Sequence, residues 1–189
     1  MNKKPPYLLL GLLLFCSTLN AQIYIGVDYM IGAINVVSGG VDTETSNPTQ
    51  TAKIKLGVGE DGGLKYQFTT AYINYDDAIF DNKNTTQYEV SFDLIKEFEK
   101  MYDVSALLKL GIGSGVMSID NVSRAEIYSL LYTAGIGLSY QASEHFYVVG
   151  GLDFVGRSWQ NVEYETAVSN TLSTSSTSLS PYAGINYKF

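Results

Sequence analysis

Apolar and polar residues alternate along most of this chain, and the alternation is clearest at its end. Leu179, Pro181, Ala183, Ile185, Tyr187 and Phe189 are separated by Ser180, Tyr182, Gly184, Asn186 and Lys188. A period of two is typical of a β-strand that has one apolar and one polar face. Residues 179–189 are therefore predicted to form such a strand.

The same pattern recurs seven times before this point. It predicts eight strands, at residues 23–37, 52–59, 64–72, 88–94, 104–112, 128–140, 146–157 and 179–189. Long polar connections at residues 39–50, 75–86, 114–126 and 158–177 alternate with short ones at 60–63, 95–102 and 141–144. For the connection 95–102 the sequence also allows a brief helix. An even number of strands with alternating long and short connections is typical of a transmembrane barrel.

The two faces of these strands differ in charge. No predicted apolar-face position is charged, and this face carries large rings such as Tyr66, Phe68, Phe92, Tyr128 and Phe154. An eight-stranded barrel is too narrow to enclose so many rings, whereas a lipid-facing surface needs no partner for them. We therefore predict an all-β fold, an eight-stranded antiparallel up-and-down transmembrane β-barrel with its apolar face outward.

The opposite face carries the charges and is expected to line the lumen. Charges in so narrow a space need partners, because desolvating a lone ion is costly. We predict a structural polar network of seven residues, with Asp28 beside Lys55 and with Lys109, Asp153 and Arg157 near Glu89 or Asp93. Such a network would fill the lumen, although a narrow ion path through the same charges is the alternative.

The first residues differ in pattern from the rest. Lys3 and Lys4 precede an apolar stretch at residues 7–16, and a polar segment then ends at Ala21, as in a secretory signal peptide. We expect residues 1–21 to be cleaved and residues 22–189 to form one barrel domain. Lipidation at Cys16 is the alternative, and the bulky Phe15 before it argues against it.

Composition narrows the function. The chain has 189 residues, and 19 acidic against 12 basic residues give no basic patch for nucleic acid. The single cysteine, Cys16, lies in the predicted leader, so no disulfide or thiolate metal site is expected. Asp76, Asp77 and Asp81 lack the spacing of a calcium loop, and no metal or cofactor is predicted.

Tyr187 and Phe189, an aromatic-x-Phe ending on an alternating strand, resemble the closing strand of bacterial outer-membrane β-barrels. With the eight-strand pattern, the chain is similar to the small porin-like barrels of the outer membrane protein A and outer membrane protein X type. The resemblance implies an outer-membrane location, contact with outer-membrane lipid and lipopolysaccharide, and recognition of Tyr187 and Phe189 by the barrel-assembly machinery.

Catalytic residues are scarce. His145 is the single histidine, and it falls at a short connection with only Ser143 and Glu144 adjacent in sequence. Some small outer-membrane barrels are lipid-modifying enzymes, but a base must reach a nucleophile, and a solvated turn residue is the simpler interpretation. We expect a non-enzymatic protein that acts in envelope structure or binds an unidentified extracellular ligand through its loops. A narrow channel for ions or small hydrophobic solutes is the first alternative, and a lipid-modifying enzyme is the second.

Overall fold

The computed structural model describes residues 21–32, 34–39, 43–77, 86–118, 126–164, 170–172 and 174–189. Its strands, in chain order, are β1 (Gln22–Gly32), β2 (Ile34–Gly39), β3 (Thr43–Ser46), β4 (Thr49–Gly59), β5 (Leu64–Tyr75), β6 (Thr86–Glu97), β7 (Val104–Ser118), β8 (Glu126–Gln141), β9 (Phe146–Trp159), β10 (Val162–Tyr164), β11 (Asn170–Leu172) and β12 (Ser175–Lys188). The predicted leader lies outside the described residues, apart from Ala21.

Eight of these strands close into a barrel. Their order is β1, β4, β5, β6, β7, β8, β9 and β12, and every neighbouring pair is antiparallel. The ring closes where β12 also pairs with β1, from Tyr24 opposite Lys188 to Met30 opposite Tyr182. The predicted fold, an eight-stranded all-β barrel, is confirmed. In the described part of the chain no helix is long and apolar enough to cross a membrane.

The strands extend further toward the long connections than the alternation predicted. β7 continues to Ser118, and the predicted first strand divides into β1 and β2. β1 pairs with β4, whereas β2 pairs with β3 and with the start of β12. Thr, Ser and Gln support a strand above an apolar belt as well as they support a loop, so the ends could not be read from hydrophobicity.

The connection predicted at residues 95–102 was wrong in its extent and in its allowance for a helix. β6 continues to Glu97, and the chain reverses at Tyr102 and Asp103, which have φ of 54° and 65°. Met101 and Val104 exchange backbone hydrogen bonds of 2.9 and 3.2 Å across them. Two successive positive φ angles are typical of a type I′ hairpin turn, usually signalled by Asn-Gly, which Tyr-Asp does not resemble.

The apolar face points away from the lumen, as predicted. Along β8, Leu130 and Ile136 are 58% and 62% exposed, whereas Leu131 and Thr133 are 2% and 7% exposed. Aromatic pairs lie on this outer face, among them Tyr66 with Phe92 and Tyr72 with Tyr88, with ring centroids 6.1 and 5.4 Å apart. A continuous apolar surface around a closed barrel is suited to contact with hydrocarbon.

Candidate functional site: the polar lumen

The inward positions of the barrel strands form a lumen with three zones. We call the end with the turns at 60–63, 98–103 and 142–145 the short-turn end, and the opposite end the loop end. Charged residues occupy the middle and the short-turn end, and apolar residues together with small polar ones surround one ion pair at the loop end. An eight-stranded barrel leaves room for side chains and little else, so these zones determine what can pass.

Two lysine–aspartate pairs occupy the middle zone. Lys55 on β4 donates to Asp28 Oδ1 on β1 at 2.5 Å, across neighbouring strands as the sequence suggested. Lys109 on β7 donates to Asp153 Oδ2 on β9 at 2.5 Å, and Lys53 Nζ lies 3.6 Å from the same oxygen. Asp153 is fully buried, so its charge depends on these two ammonium groups.

Glu89 and Arg157 form a third pair toward the loop end. Arg157 donates from Nε and Nη2 to the two carboxylate oxygens of Glu89, at 2.6 and 3.3 Å. Gln87 extends this pair, because its Nε2 donates to Glu89 Oε1 and to Ser129 Oγ while its Oε1 accepts from the Tyr75 hydroxyl. A two-point contact between guanidinium and carboxylate fixes both side chains.

The side chains that contact Asp93 are not the cations that the sequence predicted. Its Oδ2 accepts from Gln67 Nε2 at 3.0 Å and from Thr69 Oγ1 at 2.8 Å, and no cation of the described residues lies within ion-pair distance. Tyr24 donates to Gln67 Oε1 at 3.0 Å and continues this network. The amide and hydroxyl partners were not found from the sequence, because charge was the only pairing signal used.

The carboxylates of the middle zone lie opposite glycines in neighbouring strands. Asp93 lies directly across the β6–β7 ladder from Gly111, and Asp153 lies directly across the β8–β9 ladder from Gly135. A Cβ atom at either glycine would lie 2.1 or 2.2 Å from the facing carboxylate oxygen. Glycine at these two positions therefore makes the space in which the buried carboxylates sit.

Asp61 is the centre of a cluster at the short-turn end, which the sequence analysis missed. Its carboxylate accepts from Lys188 Nζ at 2.8 Å and from the Tyr147 hydroxyl at 3.3 Å. Lys65 and Lys100 lie 3.4 and 3.5 Å away. Partial burial works to raise the pKa of Asp61, but the Lys188 hydrogen bond and the three ammonium charges lower it to about 2.

Glu97 corrects a further interpretation. The sequence placed it in the short connection at residues 95–102, but it is fully buried, and its Oε2 lies 2.5 Å from Lys65 Nζ. The reason is that the inward alternation of β6 continues through Asp93, Ile95 and Glu97. Lys100 also reaches Asp61, from the turn at residues 98–103. With Asp61 and Glu97 included, the described residues of the strands and of the turn 60–63 place six basic and six acidic side chains in the lumen. They are Lys53, Lys55, Lys65, Lys109, Arg157 and Lys188 against Asp28, Asp61, Glu89, Asp93, Glu97 and Asp153.

The loop end of the lumen is filled by large side chains, and this too was missed. We call its apolar members the apolar lumen layer: Met30, Ile73, Tyr75, Met117, Ile127, Leu131, Val155 and Trp159, each at most 3% exposed. They lie around the Glu89–Arg157 pair. Several belong to strand ends that the sequence analysis assigned to loops, so their inward direction was not visible. Water and solutes meet packed side chains at this end.

A cavity of about 50 Å³ lies on the other side of the middle zone. Its lining extends from Gln22, Gly59 and Asp61 at the short-turn end to Lys55 and Lys109 in the middle. No residue of the apolar lumen layer lines it. The cavity is therefore a pocket that reaches inward from one end of the barrel.

His145 lies on the short connection before β9, where the sequence placed it. Its Nδ1 lies 2.9 Å from the backbone oxygen of Lys188, and its ring stacks on Tyr187 with a centroid distance of 5.7 Å. Ser143 Oγ accepts from the Phe146 backbone amide. In the described ranges neither Ser143 nor Glu144 is hydrogen-bonded to His145, so the arrangement does not form a nucleophile–base pair.

Asp76, Asp77 and Asp81 were weighed as calcium ligands in the sequence, and those of them that the structure describes do not form a metal-binding cluster. Asp76 and Asp77 follow β5, and Asp77 exchanges hydrogen bonds with the Asn47 side chain. Asp81 lies outside the described residues. Over the residues that the structure does describe, no three His, Cys, Asp or Glu side chains are grouped so that they could hold a metal ion.

Comparisons with known proteins identify the fold and no closer relationship. No family model matches the sequence, and no curated protein matches it. Neisserial surface protein A is similar in structure, with a TM-score of 0.64 and 17% identity over 90% of this chain and all of that one. The N-terminal β-barrel domain of OprF from Pseudomonas aeruginosa gives a TM-score of 0.54 and 12% identity over 90% and 100% of the two chains. The outer membrane protein OprG from Pseudomonas aeruginosa gives 0.54 and 11% over 89% and 95%. This chain thus has the fold of the small eight-stranded outer-membrane β-barrels.

Proposed function

We propose that this chain is an integral protein of the bacterial outer membrane, without enzymatic activity, that acts in envelope structure or in surface interaction through its loops. The closed barrel with its apolar outer surface supports the membrane location. The similarity in fold to solved outer-membrane barrels also supports this location. The lipid and lipopolysaccharide of that membrane are then its surroundings, and Tyr187 and Phe189 are the residues we propose for recognition by the assembly machinery.

We propose in addition that the barrel does not conduct, and one observation supports this over the channel alternative. The apolar lumen layer fills the loop end. Within it, two hydrogen bonds join Arg157 to Glu89. The cavity reaches the middle zone from the short-turn end and lies apart from this layer. A continuous water path is what a channel requires, and barrels leave one only with many more strands.

Planar-bilayer recording tests this part directly. The purified protein, refolded in detergent and added to a bilayer, is expected to give no steady conductance. A Met117→Gly/Leu131→Gly variant, which removes two large members of the apolar lumen layer, serves as the positive control and should conduct. Steady conductance by the unchanged protein would replace our proposal with the channel alternative.

The non-enzymatic part is supported by the surroundings of His145, which contacts a backbone oxygen and an aromatic ring. Cells that express the protein should have the same lipid and lipopolysaccharide composition as cells that express His145→Ala. A change in acyl-chain composition that depends on His145 would contradict the proposal and support a lipid-modifying enzyme.

A further inference from the structure

Lys96 differs from the other lysines and arginines that the structure describes, because no carboxylate lies within ion-pair distance of it. Each of the others has such a partner: Lys53, Lys55, Lys65, Lys100, Lys109, Arg157 and Lys188. Within the described ranges Lys96 is therefore the cationic side chain whose charge no residue of the barrel compensates.

Lys96 lies on the outer face of β6, one residue before the strand ends at Glu97. It is directly opposite Leu64 on β5 and Leu108 on β7, and both leucines are exposed on the same face. The aliphatic stem of Lys96 therefore lies among lipid-facing side chains, at the short-turn edge of the apolar surface. A lysine in such a position extends its charge toward the headgroups and keeps its stem against hydrocarbon.

Two contacts hold the ammonium group of Lys96 at this edge. Its Nζ donates to the backbone oxygen of Gly62 at 2.9 Å and lies 6.0 Å from the centroid of the Phe98 ring. An ammonium group has three N–H donors, so two of them are available to a further acceptor. Phe98 is itself exposed on the outer face, so an acceptor bound there also contacts this ring.

Glu99 places a carboxylate next to the same turn residue. A Cβ atom at Gly62 would lie 3.8 Å from Glu99 Cα and 4.0 Å from Glu99 Cγ, so Glu99 packs against the residue whose oxygen holds Lys96. Glu99 is exposed, and in the part of the chain that the structure describes it forms no ion pair and no side-chain hydrogen bond. One positive and one negative group thus lie on either contact of Gly62 without pairing with each other.

A headgroup that carries both charges complements this arrangement. A phosphate accepts charge-assisted hydrogen bonds from an ammonium group, and a primary ammonium donates them to a carboxylate. Phosphatidylglycerol has no cation for Glu99, and phosphatidylcholine has a cation without N–H donors. We propose that this edge binds one phosphatidylethanolamine molecule, with its phosphate at Lys96, its ammonium at Glu99 and its acyl chains along Leu64 and Leu108.

The outer face at the loop end has the opposite charge. There β8 begins with Glu126, which faces outward and accepts from the Tyr128 hydroxyl at 2.8 Å. A carboxylate in that place repels a lipid phosphate, whereas the Lys96 ammonium attracts one. The proposed lipid therefore belongs to the leaflet at the short-turn end. The site rests on the membrane location in the proposed function and adds a headgroup preference to it.

Native mass spectrometry of the full barrel in maltoside micelles tests the proposal, with three lipids of identical acyl chains as probes. Phosphatidylethanolamine should bind at one site about tenfold more tightly than phosphatidylglycerol or phosphatidylcholine. Lys96→Gln should weaken binding of all three lipids, because each has a phosphate. Glu99→Gln should lower the affinity for phosphatidylethanolamine to that for phosphatidylglycerol and leave the other two affinities unchanged.

Lys100→Gln is the matched control, since it removes the same charge from the same turn. The Lys100 ammonium contacts Asp61 and Gln141 and not the outer face, so the three affinities should stay as they are in the unchanged protein. Flotation with lipid vesicles, measured first for every variant, separates the two proposals. A protein that does not float would contradict the membrane location and the site together.

A protein that floats but binds the three lipids equally overturns the site alone. So does tighter binding of phosphatidylglycerol than of phosphatidylethanolamine. The site is likewise overturned if Lys96→Gln and Glu99→Gln both keep the preference of the unchanged protein, or if Lys100→Gln loses it as fully as Lys96→Gln does.

Discussion

Asp28 lies directly across the β1–β12 ladder from Gly184, and the two residues fit together with no space to spare. A Cβ atom at position 184 would lie 1.9 Å from Asp28 Oδ1 and 2.3 Å from the backbone oxygen of Val27. Rotation of the Asp28 side chain cannot relieve the second contact. The β1–β12 seam therefore needs glycine at this position to hold the Asp28–Lys55 pair.

We predict that Gly184→Ala destabilises the folded barrel by about 1–3 kcal/mol or more, because it overpacks the seam and displaces a paired carboxylate. The measurement is the free energy of urea unfolding in lipid vesicles. Gly150→Ala is the matched control, since its Cβ would lie on the outer face with its nearest neighbour, the Tyr182 backbone oxygen, at 3.3 Å. Equal losses in the two variants would show that the Asp28 contact is unimportant.

The Glu89–Arg157 pair should show strong coupling in a double-mutant cycle. Removing either charge, by Glu89→Leu or Arg157→Met, leaves the other buried without a partner and should cost about 3–5 kcal/mol of unfolding free energy. The double variant should recover most of this loss, because neither charge remains. Single variants that cost less than about 1 kcal/mol would argue that water reaches the loop end of the lumen.

Leu130 and Leu131 provide a test of the two faces within one strand. Leu131 is 2% exposed in the apolar lumen layer, and Leu130 is 58% exposed on the outer face. Leu131→Ala leaves a cavity in a packed interior and should cost about 2–5 kcal/mol. Leu130→Ala should cost much less, because lipid chains fill the space. Unfolding in vesicles measures both, and the reverse order would contradict the outward placement of the apolar face.

Asp61 should make barrel stability fall in acid. Its pKa of about 2 in the folded protein lies below the ordinary value of 3.8, so the ionised carboxylate stabilises the fold. This contribution is complete above the ordinary pKa and is lost as the pH falls from about 5 toward 2. Asp61→Asn should be less stable than the unchanged protein at pH 7, and the difference should shrink across that interval. A difference that stays constant with pH would exclude this role for the Asp61 carboxylate.

The strands and their faces could be predicted because lipid imposes a simple rule on one face. Residues such as Ile136 and Leu138 must be apolar, so the alternation reveals both the strand and its direction. Register could not be predicted in the same way. The Asp28–Lys55 contact was anticipated only because both residues lie on neighbouring predicted strands, and in the structure Asp28 is directly opposite Lys53, two residues from Lys55.

The lumen was less predictable because its residues follow no single rule. Glu97 was placed in the connection at residues 95–102, although the alternation continues through it to the end of β6. Ile73, Met117 and Ile127 lie in strand ends rich in polar residues, where hydrophobicity no longer identifies a strand. The turn at Tyr102 and Asp103 has positive φ angles without glycine or asparagine, and nothing local in the sequence indicates it.

The contact between Asp61 and Lys188 joins the turn between β4 and β5 to the last strand of the barrel. These residues are 127 positions apart in the sequence. Their 2.8 Å hydrogen bond can therefore form only after all eight strands have assembled and the barrel has closed. The contact therefore distinguishes the closed barrel from an intermediate whose first and last strands are not yet paired. A spectroscopic probe placed beside Lys188 would report when the barrel closes during membrane insertion.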